Sequence, residues 1–107
     1  MQDIDARTVE RILDGHVTTM IRRGDDGSLA MSADKWRLAE VTDAALTFRA
    51  EPPAPPDVAP HVIALDDVDH FAWDRLPKQQ KRSQIRAYLR NGDVVTFSGM
   101  LGDPFDP

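Results

Sequence analysis

The apolar positions change period along the chain, and each change marks an element. Ile4, Val9, Ile12 and Leu13 recur near helical spacing, between Asp3, a good N-cap residue, and Gly15, which suits the left-handed site past a helix end. This predicts a short helix over 4–14. From Val17 the period is two: Val17, Thr19 and Ile21 alternate with Thr18, Met20 and Arg22, and Gly24-Asp25-Asp26-Gly27 turns the chain into a returning segment from Ser28 to Ser32. Trp36 to Val41 reads as a further strand, although Ser32 also has the chemistry to cap a helix running through Trp36 and Leu38. We adopt the strand. Thr42-Asp43-Ala44-Ala45 turns it, and Leu46-Thr47-Phe48-Arg49-Ala50 alternates with Leu46 and Phe48 on the buried face.

Five of the eight prolines fall within residues 51–60, which predicts a stiff, donor-poor connection; its Pro-Pro-Ala-Pro-Pro core also has the form of a ligand for a proline-recognising domain. His61 to Leu65 resumes a strand, Asp66-Asp67 bends it, and Val68, Phe71 and Trp73 supply further core anchors. Two periods compete over 78–90. A helix from Pro77 gathers Ile85, Tyr88 and Leu89 on one stripe, whereas a strand puts Ile85, Ala87 and Leu89 inside and Gln84, Arg86, Tyr88 and Arg90 outside. The hairpin is favoured because Asn91-Gly92 is a strong two-residue turn signal and Val94-Val95-Thr96-Phe97 follows at once. Residues 101–107, with Gly, Asp and Pro, read as a C-terminal tail.

These elements amount to one domain, 1–107, since 107 residues hold one modest core. The absence of Cys excludes thiol nucleophiles, disulfides and the usual structural zinc sites. No apolar run reaches the length of a membrane span, and the first residues lack the pattern of a signal peptide, so the expectation is a cytoplasmic protein with no integral membrane segment. The preference for Arg, Asp, Ala and Pro resembles high-GC bacterial coding.

Charge is uneven. The chain carries a net charge of -5, yet residues 75–90 hold six bases (Arg75, Lys78, Lys81, Arg82, Arg86, Arg90) and no acid, while the run from Asp57 to Asp74 is acidic apart from two His. Such segments either neutralise each other across adjacent strands or steer an anionic partner. On the strand reading, Arg82, Arg86, Tyr88 and Arg90 share one exposed face, a pairing of cations and an aromatic ring that suits phosphate and base stacking. The acidic remainder opposes general nucleic-acid affinity.

Catalytic chemistry finds little support. His61, Asp66, Asp67, Asp69, His70 and Asp74 include ligand types, but strand alternation sends Asp67 and Asp69 one way and His70 the other. Ser28, Ser32, Ser83 and Ser98 lack a nucleophile-elbow context, and Gly24-Asp25-Asp26-Gly27 has acids where a phosphate loop needs Lys and Ser or Thr. The expectation is a non-enzymatic chain with no cofactor and no metal.

Val41-Thr42-Asp43, Leu46-Thr47-Phe48, Leu65-Asp66-Asp67-Val68, and then Ile85 to Leu89, Asn91-Gly92 and Phe97 follow in an order that resembles the PH-like and GRAM-like domains, bacterial members included, across about residues 15–100. The resemblance implies a mainly β (α+β) fold: a small antiparallel barrel or half-barrel, here with a short N-terminal helix. It also implies binding rather than catalysis. The family's C-terminal capping helix has no counterpart in the pattern after Phe97, and the N-terminal helix or a partner chain is a candidate substitute. The leading expectation is a protein-interaction module whose partner is another protein or a second copy of itself, taken through an exposed aromatic or an unpaired strand edge. The alternative is a nucleic-acid or anionic-lipid binder using Arg82, Arg86, Tyr88 and Arg90.

Overall fold

In the computed structural model, residues 2–29, 35–52, 54, 57–76 and 82–101 are described. The helix starts at Asp5, whose carboxylate accepts the Thr8 backbone N–H at 2.8 Å while its own backbone stays extended. Helix α1 (Ala6–Leu13) then buries Val9, Ile12 and Leu13, and Gly15 takes the left-handed conformation at φ +73°. The expected cap at Asp3 is therefore corrected. Gln2–Ile4 forms a short strand, β1, and a three-residue strand is too brief to show its own alternation.

Seven further strands follow: β2 (Val17–Arg23), β3 (Lys35–Val41), β4 (Ala45–Ala50), β5 (His61–Ala64), β6 (Val68–Arg75), β7 (Ser83–Leu89) and β8 (Val94–Gly99). All eight join in one antiparallel sheet of order β1-β6-β7-β8-β2-β3-β4-β5. The strands β2 to β5 and β6 to β8 are two meanders, joined by the pairing of β8 with β2, with Met20 opposite Phe97. The sheet curls on itself. Phe48 on β4 and Phe97 on β8 stack with ring centroids 4.9 Å apart, whereas three strand spacings in a flat sheet would separate them by about 14 Å. The inward side chains, Met20, Trp36, Leu46, Ile63, Phe71 and Ile85 among them, form one core with the apolar face of α1. The edges β1 and β5 do not pair, so the barrel is not closed.

The competition over 78–90 resolves as a strand for the described part: Ile85, Ala87 and Leu89 are buried in β7, while Gln84, Arg86 and Tyr88 are half-buried. Residues 77–81 lie outside the described residues. The turn after β7 is longer than two residues. Leu89 N–H donates to Asp93 O at 2.9 Å, leaving Arg90 to Gly92 in the loop, with Gly92 at φ +97° as the left-handed residue of a three-residue hairpin. The segment returning from Gly27 contributes one bridge, Arg23 to Leu29; Ala30 to Asp34 lie outside the described residues, and continuous pairing with β2 resumes at Lys35. A 3₁₀ turn (Leu65–Asp67) makes the bend after β5. The tail reading is corrected at its first residue: Leu101 is buried in the core, and residues 102–107 lie outside the described residues. Among the described residues of 51–60 there is no strand, and Val58 leans on the core.

Candidate docking surface

Alternation that sends Met20, Trp36, Phe48, Ile85 and Phe97 inward sends their neighbours outward, and the strand register then decides which of those meet. Arg86 on β7 lies opposite Thr96 on β8, which lies opposite Ile21 on β2; in the next row Tyr88 lies opposite Val94, and Val94 opposite Arg23. Farther along, Thr19 faces Lys35, and Val17, Arg37 and Arg49 line up across β2, β3 and β4. The convex outer surface thus carries a band of five cations, Arg86, Arg23, Lys35, Arg37 and Arg49, drawn from four strands and wrapping around the curled sheet. All but the half-buried Arg86 are exposed.

Little in the fold neutralises this band. Arg37 pairs with Glu51. Among the described residues Arg23 and Arg49 have no ion-pair partner, and Arg86 donates instead to the Tyr88 hydroxyl at 3.4 Å. Arg37 and Arg49 stand directly opposite each other on neighbouring strands, an arrangement that destabilises a sheet. A shallow depression of about 400 Å³ lies within the band, lined by Arg23, Gly24, Asp25, Arg86, Tyr88 and Thr96. The apolar part of the face includes Ile21, 38% exposed, in the row of Arg86 and Thr96, and the half-buried Val94 and Tyr88 in the next row.

The residues singled out in the sequence divide. Arg86 and Tyr88 lie on the band, adjacent and hydrogen-bonded, though half-buried rather than fully exposed. Arg82 precedes β7 and is also half-buried, with its Nε enclosed. Arg90 is turned toward the acidic segment: its backbone N–H donates to Asp67 O at 2.8 Å, its Nε to Asp66 O at 3.0 Å, and its Nη1 lies 3.6 Å from Asp69. Mutual neutralisation of the basic and acidic segments therefore applies to Arg90 and not to Arg86. Arg23, Lys35, Arg37 and Arg49 were not legible as site residues, because they come from three separate segments that only the register assembles.

Asp69 and His70 do not point apart as uniform alternation predicts. A bulge between Val68 and His70 turns them together, with His70 Nδ1 2.8 Å from Asp69 Oδ2 and the His70 ring stacked on Tyr88 at 4.5 Å. Among the described residues no set of three His, Asp or Glu converges in a metal-holding arrangement.

A second polar cluster sits at one end of the curled sheet. Arg22, on the inward side of β2, bonds Asp93 and approaches His61 Nε2 at 3.5 Å, while the His61 ring meets Trp36 edge-on. Burial first, and the Arg22 charge second, push the His61 imidazole below its ordinary pKa.

The described residues contain no helix long and apolar enough to cross a membrane. Comparison with protein-family models, with curated proteins and with solved structures finds no match for this chain.

Proposed function

We propose that this chain is a non-enzymatic protein-interaction module of the bacterial cytoplasm that docks an acidic polypeptide segment on the outer face of β7, β8, β2, β3 and β4. The carrying observation is the five-cation band on a chain of net charge -5, including two arginines placed opposite each other at a cost to the sheet. A polypeptide suits the face better than nucleic acid for two reasons. The acidic remainder of the chain repels a long polyanion while leaving room for a short acidic stretch. Ile21 and Tyr88 also lie between the cations, and aromatic and Arg side chains around a small apolar centre are the usual energetic anchors of protein interfaces. The antiparallel sheet, curled so that β4 and β8 meet across the core with α1 filling part of it, supports a PH-like or GRAM-like fold.

The test is a set of titrations at low salt with three probes: a labelled ten-residue oligoglutamate, a single-stranded RNA of similar charge, and vesicles containing phosphatidylserine. Saturable binding of the oligoglutamate, weakened at least tenfold by the double substitution Arg49→Glu with Arg86→Glu, is the expected result. Binding of RNA or vesicles but not of the acidic peptide would move the assignment to the nucleic-acid or lipid reading.

A further inference from the structure

The loop between β7 and β8 carries Asn91, the only Asn of the chain, followed directly by Gly92, and both residues are exposed. The carboxamide of Asn91 is held in place. Its Oδ1 accepts the Asp93 backbone N–H at 2.9 Å, a bond that draws electron density from Cγ and stabilises the oxyanion formed when Cγ is attacked. The nearest nucleophile is the Gly92 backbone nitrogen. It lies four bonds from Cγ along the chain, so attack closes a five-membered ring, and Gly92 has no side chain to shield it. One bond restrains that nitrogen: Gly92 N–H donates to Leu89 O at 3.1 Å, within a surface loop whose opening requires no unfolding of the sheet.

The turn at Asp26-Gly27 has the same arrangement and a different outcome. Asp26 Oδ1 accepts the Ser28 N–H at 3.0 Å and Gly27 is left-handed at φ +85°. Hydrogen bonds from Ser28 hold the Asp26 carboxyl below its ordinary pKa, so it stays a carboxylate, which a backbone nitrogen does not attack. The neutral amide of Asn91 has no such protection.

We propose that Asn91 is a site of self-modification, converted in the folded protein through a succinimide to aspartate and isoaspartate. The Gly92 nitrogen forms a bond to Asn91 Cγ, the Cγ–Nδ2 bond breaks, and ammonia leaves with the proton that the Gly92 nitrogen gave up. Water then adds to one carbonyl of the ring and opens it. Opening on one side gives aspartate; opening on the other gives isoaspartate, whose main chain runs through the former side chain and is longer by one carbon. Water is the only other reactant, and nothing is oxidised or reduced. Either product adds a negative charge to a chain of net charge -5, in a loop that already holds Asp93 and packs against the Asp25 carboxyl group, 3.2 Å from where a Gly92 Cβ would stand. The longer isoaspartyl loop strains the closure from Leu89 N–H to Asp93 O, and with it the tie between Asp93 and Arg22. The site uses none of the five cations of the outer face and stands apart from the function proposed above.

The test incubates the full chain at mildly alkaline pH in oxygen-18 water, beside a synthetic peptide of residues 87–96, and follows both by intact mass and peptide mapping. The expected result is loss of the Asn91 amide with uptake of one labelled oxygen, at a rate within about tenfold of the peptide's, giving aspartate and isoaspartate. Trimethylamine N-oxide, which suppresses global unfolding, should change that rate less than twofold. Asn91→Gln, which would have to close a six-membered ring, should stay unconverted over the same period. A rate more than tenfold below the peptide's, a rate that the osmolyte lowers more than twofold, or the same mass gain in Asn91→Gln would overturn the proposal.

Discussion

Arg22 on β2 donates from both Nε and Nη2 to one carboxylate oxygen of Asp93, at 3.0 and 2.7 Å, so the residue before β8 is tied to the strand that β8 pairs with. Both side chains are mostly enclosed, at 23% and 21% exposure, which places the pair between a solvated surface bridge and a buried one. Asp93→Asn should cost about 1–2 kcal/mol in urea unfolding, because it leaves the half-buried Arg22 charge beside His61 without its counter-ion. A change near zero would mean that water already satisfies the guanidinium.

His61 gives a pH signature. Burial, and then the Arg22 charge, lower its folded pKa below the ordinary 6.5. The unfolded chain therefore binds the proton more readily, so the stability from the neutral ring is complete above about pH 6.5 and is lost as pH falls toward the folded value. Asp5 and Asp26, whose carboxyls are held below 3.8 mainly by hydrogen bonds from Thr8 and Ser28, act on a more acidic limb. Thermal melts should fall in two stages with acid, and His61→Phe should remove the upper stage alone. An unchanged upper stage would assign it to another group.

The sequence's strand pattern was legible wherever one face is buried and the other is wet, as in Leu46 and Phe48 of β4 or Ile85, Ala87 and Leu89 of β7. It failed where the deciding information is not local. β1 is defined by its partner β6 rather than by its own three residues. The bulge after Val68, which brings Asp69 to His70, has no mark in the alternation. The cation band is half legible: Arg86 and Tyr88 share a strand, whereas Arg23, Lys35, Arg37 and Arg49 meet them only through pairing across β8, β2, β3 and β4. Arg90 was grouped with Arg86 by alternation, and the three-residue loop carries it instead to Asp66 and Asp67.

Helix α1 depends on its first cap. Asp5→Ala removes the acceptor for Thr8 N–H and should destabilise the protein by about 1 kcal/mol, whereas Asp3→Ala, outside the helix, should cost less. Equal losses at the two positions in chemical denaturation would contradict the cap assignment.

Gly92 closes the β7–β8 hairpin at φ +97°, and a Cβ there would meet Asp25 at 3.2 Å. Gly92→Ala should therefore destabilise by about 1–3 kcal/mol. Urea denaturation checks this: a neutral substitution would show that the loop adopts another conformation in solution.

The central claim is that the outer cation band is a docking face for an acidic polypeptide, and backbone amide NMR during titration with a ten-residue oligoglutamate tests it most directly. The account predicts saturable shifts centred on Arg23, Lys35, Arg37, Arg49, Arg86 and Thr96, fading as salt shortens the reach of the charges, with α1 unaffected. Saturable shifts confined to α1 and the turn after β3, or none at all at low ionic strength, would contradict it.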